Sequence, residues 1–311
     1  MAWNRESLQQ AVAEKIGGRK FIVVSNREPY IHVFADEGIR CITPASGMTV
    51  AVDPVIRACG GTWIAAGLGD ADREVVDAHD HVAVPAEDPT YVLRRIWLSK
   101  EEEERFYYGY ANEGLWPLCH IVHVRPVFRE ADWKVYQAVN TRFADAVLEE
   151  LEGQPGFVFI QDYHFALLSR MIRERRPDVV TAQFWHIPWP NPEAFRVCPQ
   201  ATEILEGLLG NDILGFHIRY HGLNFMESVD RFLESRINAE TSSIIRLGRE
   251  TLVRDFPISI DFENAEKKAT SPEIERKRAA LLSDHRLRNK LIAVGIDRME
   301  YTKGIIERLD A

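Results

Sequence analysis

The sequence predicts an α/β protein built on a doubly wound parallel sheet, and two observations carry this prediction. Short apolar runs rich in β-branched residues alternate with amphipathic helical stretches, a pattern typical of a parallel sheet that is covered by helices. The chain has 311 residues, of which 46% are hydrophobic and 27% charged, so it has enough apolar side chains for a large core. At about 150 residues per domain, this length suggests roughly two domains.

Charge and composition exclude several classes of protein. The 38 Lys and Arg residues against 47 Asp and Glu residues give a net charge of −9, which argues against a nucleic-acid-binding protein, because such proteins usually carry a basic face. No apolar run approaches the roughly 18 residues of a membrane span. The charged N-terminal segment lacks the apolar core of a signal peptide, so a cytoplasmic location is expected. The four scattered cysteines predict buried reduced thiols.

The first strand of the sheet is predicted over residues 20–25, and a long turn-rich segment, 26–46, follows it. A helix is predicted from Gly47 to the pair Gly60-Gly61, because consecutive glycines usually end a helix. Further strands are predicted at 62–66, 81–84 and 91–98.

The middle of the chain is predicted to be helical and then to continue the sheet. Ser99 is the expected N-cap of one helix, and residues 132–151 form an amphipathic second one. Three strand–helix units follow, with strands at 157–162, 179–186 and 212–218. A hairpin with Gly248 in its turn is predicted over 242–260.

The last fifty residues do not complete a domain of their own. Residues 260–284 are charged and helical, and 290–298 predict a new strand close to the end of the sequence. We therefore interpret 1–255 as a doubly wound domain. Residues 256–311 are interpreted as a linker and the first strand–helix unit of a truncated second domain.

Polar side chains stand where several predicted strands end. Arg27 follows the first strand, and Asp162 and His186 close two of the later ones. Because ligands of open α/β sheets bind at the carboxyl ends of the strands, these three side chains are predicted to share one rim of the sheet. His186 lies between Trp185 and Ile187, so a hydrogen-bonded core histidine is an equal alternative.

Candidate phosphate ligands occur at two further places. Arg298 and Lys303 flank the end of the last predicted strand, and such a pair suits a diphosphate. Gly47 opens a helix whose N-terminal N–H groups could face a phosphate, although no glycine-rich phosphate-loop motif is present. Asp70 and Asp72 have the spacing of a metal-binding Asp-x-Asp, but a turn is favoured there, so neither a metal nor a cofactor is predicted.

These residues lie in segments that together resemble the trehalose-6-phosphate synthases. The segments are VVSNR, SGM, YYGYANEGLWP, IQDYH, FWHIPWP, LLGNDILGFH and GIDRMEYTKG. The resemblance covers residues 21–311 and implies a retaining glycosyltransferase of the GT-B fold, in which two Rossmann-like domains face each other. It implies that 1–255 is the acceptor-side domain, and that 256–311 begins the nucleotide-sugar domain. The implied reaction moves glucose from a nucleotide sugar of the UDP-glucose type to glucose 6-phosphate, giving trehalose 6-phosphate.

The resemblance also implies the residues of the acceptor site. Arg27 and Tyr107 would hold the acceptor phosphate, and Trp116 would pack on the acceptor sugar. Asp162 would bind the hydroxyl groups of that sugar and is counted, with His186, as catalytic.

On the donor side, the resemblance implies that His186 contacts the transferred glucose near its reacting carbon. Gly47 would lie against the donor phosphates, and Arg298 with Lys303 would neutralise the leaving diphosphate. In the family's proposed mechanism the leaving phosphate takes the proton of the acceptor, so the configuration is retained without a pair of catalytic carboxylates.

One departure from the family pattern, Ser46-Gly47 in place of a usual Gly-Gly pair, is a mild change at the donor loop. A second departure leaves the acceptor open, because Ala65-Ala66 stands where a second Trp is common. The glucosylglycerol-phosphate synthases, which transfer to glycerol 3-phosphate, are therefore an alternative, and a non-catalytic sugar-phosphate-binding half-protein is another. The 311-residue chain alone is expected to be inactive. The donor nucleotide and a homo-oligomeric state stay open.

Overall fold

A computed structural model describes residues 5–44, 46–122, 124–260, 262–284, 287 and 290–311 of the chain. The chain divides into two compact units, Met1–Pro257 (unit 1) and Ile258–Ala311 (unit 2). Within the described ranges, no helix is long and apolar enough to span a membrane.

Unit 1 is built on one large sheet and one separate hairpin. In chain order the strands are β1 (Lys20–Arg27), β2 (Ile31–Ala35), β3 (Gly38–Ile42), β4 (Thr62–Ala66), β5 (His81–Val84), β6 (Tyr91–Ile96), β7 (Gly156–Gln161), β8 (Val180–Phe184), β9 (Ile213–Phe216), β10 (Arg236–Asn238), β11 (Ser243–Arg246) and β12 (Arg249–Asp255). The sheet order is β10-β11-β12-β9-β8-β7-β1-β4-β6-β5, while β2 and β3 pair only with each other. From β12 to β6 all neighbours are parallel, and antiparallel strands occur only at the two edges.

Helices connect these strands and follow them into unit 2. They are α1 (Arg5–Ile16), α2 (Gly47–Cys59), α3 (Lys100–Glu103), α4 (Trp116–His120), α5 (Glu130–Leu151), α6 (Leu168–Arg175), α7 (Pro192–Phe195), α8 (Ala201–Leu208), α9 (Arg219–Phe232), α10 (Phe262–Ala269), α11 (Pro272–Asp284) and α12 (Ile305–Asp310). Between α3 and α4 the residues Glu104–Leu115 form a π-helix. The last three helices belong to unit 2.

Strand β1 shows why the sheet is covered on both faces. Ile22 and Val24 belong to the larger core cluster on one face, whereas Val23 packs with Val52 and Ile56 of α2 on the other. A parallel strand that is buried on both sides needs a continuous apolar run, and this is the pattern that predicted β1. The predicted doubly wound α/β class is therefore confirmed.

The predicted boundaries of α2 are confirmed by its caps. The helix begins at Gly47, where the Ser46 side chain accepts a hydrogen bond from the Thr49 N–H. It ends before Gly60, which has a φ of 72° and donates its N–H to the Ile56 carbonyl. The later hairpin and the three strand–helix units are likewise present at the predicted places.

Three predictions fail. Residues 290–298 are not a strand, because the described part of unit 2 contains no neighbouring strand with which they could form a ladder. The turn-rich segment 26–46 contains the hairpin β2–β3, whose turn at Asp36-Glu37 leads into Gly38, the first residue of β3, with a φ of 112°. Among the cysteines, Cys119 and Cys198 are buried as predicted, but Cys41 is exposed.

Candidate functional site

The three strand-end residues do lie on one rim of the sheet. Arg27 is the last residue of β1, Asp162 follows β7 directly, and His186 comes two residues after β8. Strands β8, β7 and β1 are neighbours and parallel, so their carboxyl ends meet at one edge. The predicted common rim is confirmed.

Arg27 faces a cleft of about 270 Å³ at this rim. Its guanidinium donates from one Nη to the Tyr107 hydroxyl at 3.3 Å, and this contact raises the pKa of Arg27. The cleft is lined by Asn26, Arg27, Ala66, Gly67, Leu68, Leu98, Glu103, Tyr107 and Tyr108. The structure thus brings together Arg27 and Tyr107, which are 80 residues apart in the sequence.

His164 lies behind Tyr107, a role that the sequence did not reveal. Its ring is buried and stacks on Tyr107, with 5.5 Å between centroids and an interplanar angle of 11°. Burial, together with the positive charge of Arg27, lowers the pKa of His164 to about 3, so the imidazole is neutral. A neutral ring in this place orients Tyr107 without repelling Arg27. The position of His164 just after the predicted strand 157–162 was the one feature of the sequence that pointed to it.

Asp162 is held in an unusual backbone conformation. Its φ of 72° and ψ of 178° fall in a region that non-glycine residues rarely adopt and that costs about 1–3 kcal/mol. The Oδ1 atom accepts hydrogen bonds from the N–H groups of Tyr163 at 2.9 Å and His186 at 3.1 Å. Burial nevertheless raises the pKa of Asp162 to about 7. Among the described residues, Oδ1 accepts both of these hydrogen bonds, so Oδ2 is available to a hydroxyl group of a ligand.

His186 is a neutral hydrogen-bonding group in this site. Its Nε2 lies 2.9 Å from the Gln161 side-chain oxygen, and its carbonyl accepts a hydrogen bond from His217 Nε2 at 3.0 Å. Burial, and then the proximity of His217, lower the pKa of His186 to about 3. The imidazole is therefore uncharged over the physiological pH range. Its side chain is half-buried at the rim and is held there by the hydrogen bond to Gln161.

Trp116 stands at the junction of the π-helix with α4. Its ring is half-buried, lies 4.1 Å from the His120 ring and 5.9 Å from the Tyr163 ring, and so continues the aromatic surface next to Asp162. Tyr163 also donates its hydroxyl to the Asn112 side-chain oxygen at 2.9 Å, which ties the π-helix to the rim.

The helical segment that carries Tyr107 and Trp116 begins with a complete capping box. The Ser99 side chain accepts from the Glu102 N–H, and the Glu102 side chain accepts from the Ser99 N–H. After one turn of α3 the chain continues as a π-helix, a form that is rare over such a length and frequent at functional sites.

A buried ionic cluster that was not predicted supports the cleft from behind. Glu28, Arg95 and Asp72 have no exposed side-chain area, and His32 is nearly as buried. Arg95 Nε donates to Glu28 Oε2 at 2.8 Å, and one Nη lies 2.8 Å from Asp72 Oδ1. Burial is the main cause that raises the pKa of Glu28 to about 8. We call these four side chains the Arg95 cluster.

The Arg95 cluster fixes a loop that lines the cleft. Glu28 Oε1 accepts from the Leu68 N–H at 2.9 Å, and Asp72 Oδ2 accepts from the Gly69 N–H at 2.6 Å. A Cβ atom at Gly69 would approach the His32 carbonyl oxygen to 2.2 Å, so only glycine fits this close approach. The walls of the cleft are thus held by groups that do not face it.

The aspartates that could have bound a metal are engaged in the fold. Asp70 accepts from the Phe34 N–H at 3.0 Å, and Asp72 belongs to the Arg95 cluster. In the part of the chain that the structure describes, no group of three or more His, Cys, Asp or Glu side chains could hold a metal ion.

The remaining candidate residues are placed separately. Gly47 is the first residue of α2 in unit 1, and a Cβ atom there would meet nothing within 4 Å. Arg298 and Lys303 lie in unit 2, where their side-chain nitrogens are 3.3 and 3.4 Å from Glu300 Oε1. They come close to each other through this shared carboxylate, not through the predicted strand.

Comparison with known proteins identifies the family. The sequence profile of Glycosyltransferase family 20 matches residues 19–311. The chain belongs to this family. Trehalose-6-phosphate synthases of Mycobacterium ulcerans and Mycolicibacterium vanbaalenii are 34% and 35% identical to it, over 99% and 97% of the chain. The match covers 62% of each of these relatives, so the chain spans about three fifths of their length.

A solved family structure has the same fold. The trehalose-6-phosphate synthase from E. coli, bound with UDP-2-fluoro glucose, superposes with a TM-score of 0.76 at 26% identity. The superposition covers 93% of this chain and 59% of that enzyme. The resemblance to the trehalose-6-phosphate synthase family and the prediction of a Rossmann-like domain of a GT-B glycosyltransferase are therefore confirmed.

Proposed function

We propose that this chain forms the acceptor side of a glycosyltransferase that moves glucose, with retention, from a UDP-glucose-type nucleotide sugar to glucose 6-phosphate. The observation that carries the proposal is the Arg27–Tyr107 pair at the mouth of the cleft. A guanidinium and a phenol hydroxyl in contact are both able to donate to one phosphate. The similarity to trehalose-6-phosphate synthases supports the same reaction.

The sugar of the acceptor would lie between the phosphate site and the rim. Trp116 offers an aromatic face for the sugar ring, and Asp162 offers Oδ2 to its hydroxyl groups. Because burial raises the pKa of Asp162 to about 7, this carboxyl accepts or donates a hydrogen bond near neutral pH.

The donor would lie across the same rim. The neutral imidazole of His186 hydrogen-bonds to the glucose that is transferred, while the N–H groups at Gly47 approach the donor phosphates. Arg298 and Lys303 are the proposed ligands of the leaving diphosphate, and residues 256–311 the proposed beginning of the nucleotide-sugar domain.

The transfer needs no nucleophile from the protein. The bond between the anomeric carbon and the phosphate oxygen breaks, and the acceptor oxygen bonds to that carbon on the same face. The acceptor proton passes to the leaving phosphate, so charge and atoms balance. The contribution of the protein is then orientation and stabilisation of the charge on the departing diphosphate.

Calorimetry with glucose 6-phosphate tests this proposal. Arg27→Ala should weaken binding by about tenfold or more, because a charged hydrogen bond contributes roughly 1.5–3 kcal/mol. Tyr107→Phe should weaken it by a few-fold, whereas Tyr220→Phe, at an exposed tyrosine that does not line the cleft, serves as the matched control. His186→Ala should hardly change acceptor binding. Unchanged binding by Arg27→Ala would show that the acceptor site is wrongly assigned.

Binding of glycerol 3-phosphate distinguishes the proposed reaction from the main alternative, transfer to glycerol 3-phosphate. If glucose 6-phosphate is the acceptor, Trp116→Ala should weaken its binding, and glycerol 3-phosphate should bind more weakly than glucose 6-phosphate to the unaltered chain. Tighter binding of glycerol 3-phosphate would favour the glucosylglycerol-phosphate reaction. A cytoplasmic location and a lack of nucleic-acid partners remain predictions of the sequence.

A further inference from the structure

Unit 1 has a second cleft, at the edge of the sheet opposite to the candidate site. It lies at the amino ends of β9 and β12 and has a volume of about 310 Å³. Its lining residues are Arg170, Arg173, Glu174, Glu206, Leu209, Gly210, Ile244, Arg246, Leu247, Arg249 and Thr251. Four of them are arginines, although the chain as a whole carries a net charge of −9.

Two of these arginines face each other across a hairpin. Arg246 and Arg249 are directly paired in the antiparallel register of β11 and β12, on either side of the turn Leu247-Gly248. Residues paired in this way project their side chains from the same face, and both of these arginines line the cleft. An anion in the cleft would offset their like charge.

The carboxylates nearby are too few to neutralise the four arginines. Glu206 is shared, with Arg246 at 2.7 Å from one oxygen and Arg170 at 2.6 Å from the other. Asp212 is also shared, since Arg173 donates to it at 2.5 Å and Arg249 lies only 3.6 Å away. With Glu174, three carboxylates face four guanidinium groups, which leaves an excess of one positive charge.

Arg246 and Arg249 also keep donor capacity. The buried Nε of Arg246 has no hydrogen-bond partner among the described residues. Arg249 makes an ion pair with Asp212 that is longer than a hydrogen bond. Burial and the charge of Arg173 lower the pKa of Arg249, the direction expected where positive charge is in excess. Arg173, by contrast, already donates to the Gly210 and Pro177 carbonyls.

We propose that this cleft binds a small anion carrying a phosphate or diphosphate group, held chiefly by Arg246 and Arg249. Guanidinium groups match the oxygens of a phosphate bidentately, and two of them line this cleft from the two strands of one hairpin. A doubly negative anion is attracted by the excess positive charge of the cleft. Free phosphate, pyrophosphate and a phosphate ester share this chemistry.

Calorimetry on the full chain in an Arg27→Ala background tests the proposal, because that substitution weakens the proposed acceptor site. The probes are inorganic phosphate, pyrophosphate and glucose 6-phosphate, titrated separately. Arg249→Gln, added to this background, should weaken binding of the preferred probe by about tenfold. The matched control is Arg231→Gln, which removes the same charge from an exposed pair with Glu193 and should leave the affinity unchanged.

The three probes show which source of phosphate the cleft accepts. Binding of the inorganic anions alone indicates a free-anion site, whereas tighter binding of glucose 6-phosphate indicates an ester. The thermal midpoint of each variant without anion shows that it is folded, and Arg246→Gln gives a second, independent measure of the loss. Equal affinity of the Arg249→Gln and Arg231→Gln proteins would overturn the proposal. Absence of binding of all three anions in the Arg27→Ala background would overturn it as well, without bearing on the acceptor site.

Discussion

Arg27 and Arg298 are both candidate phosphate ligands, but their surroundings differ. Arg27 is half-buried and donates to Tyr107, whose ring lies on a buried histidine. Arg298 is 57% exposed and, like Lys303, reaches the carboxylate of Glu300, a neighbour in the sequence. The first is positioned by long-range contacts of a packed core, and the second is in contact with a residue two positions away.

The difference separates two ways of forming a phosphate site. Side chains fixed by a core keep their geometry without ligand, so less conformational entropy is lost when the ligand binds. Exposed ion pairs contribute little, with a median of about 0–1 kcal/mol, and so hold a side chain less firmly than a packed core does. We therefore expect the acceptor side to be preorganised within unit 1, whereas the cations of unit 2 adopt their final positions on a ligand.

Amide hydrogen exchange should show the largest contrast between the two units. Residues 291–311 contain no strand and expose most of their apolar side chains, while β7 has a ladder on each side. Exchange in 291–311 should be at least about a thousandfold faster than in β7, measured by mass spectrometry on the intact chain. Equal protection of the two segments would mean that unit 2 is as firmly held as the core.

Removing the central cation of the Arg95 cluster should have the next largest effect. Arg95→Met leaves Glu28 and Asp72 buried without their cation and should lower the free energy of unfolding by about 3–5 kcal/mol in urea titrations. Arg175→Met, which breaks an exposed pair with Asp145, is the control and should cost less than about 1 kcal/mol.

Glu28→Gln provides a milder test of the same cluster. Burial raises the pKa of Glu28 to about 8, so loss of its charge should cost less than Arg95→Met, even though the new NH2 group must face the Leu68 N–H or Arg95 Nε. If Glu28→Gln destabilised the chain as much as Arg95→Met, the charge of Glu28 would be essential and its raised pKa wrong.

Asp162 should give a smaller effect that depends on pH. A folded-state pKa of about 7, above the usual value, means that the unfolding free energy falls as pH rises from about 4 to about 7. Asp162→Asn removes this loss, because the amide oxygen still accepts from the Tyr163 and His186 N–H groups. Between pH 5 and pH 8, the free energy of unfolding of the variant should therefore rise relative to that of the wild type by roughly 1–3 kcal/mol. A difference between the two proteins that stays constant with pH would contradict the raised pKa.

The smallest effect is expected in unit 2. Arg298→Gln should change the free energy of unfolding by less than about 0.5 kcal/mol, because its pair with Glu300 is exposed. A loss of more than about 1 kcal/mol would show that Arg298 is part of a packed core, and the contrast with Arg27 would disappear.

The main sheet could be predicted because each of its central strands is recognisable from consecutive residues of the sequence. Strands β1, β7 and β8 are apolar runs followed at once by a polar residue, so their position and the common rim of Arg27 and Asp162 follow from the sequence. The hairpin β2–β3 escaped prediction because its residues are partly exposed and its pattern is turn-rich. The strand expected over 290–298 shows the converse, since β-branched residues form a strand only where a neighbour completes the ladder.

The unpredicted parts of the site depend on contacts between distant residues. Glu28 and Arg95 are 67 residues apart, and no spacing rule connects them. Tyr107 and Trp116 came from the family resemblance, because aromatic residues at helical spacing usually indicate core packing. Tyr107, which stacks on His164, lies in the π-helix, and the wider turn of this helix leaves no clear mark in the pattern of apolar residues.

The backbone at Asp162 limits how this position can vary during evolution. Glycine would fit its φ of 72° without strain but would lose the oxygen that accepts from two N–H groups. Glutamate would keep the charge, yet its longer side chain cannot make the same short-range cap in a conformation that already disfavours it. Asparagine keeps the cap and loses only the titratable proton. At this position, therefore, glutamate, which keeps the charge, should be harmful. Asparagine, which removes the charge, should be tolerated.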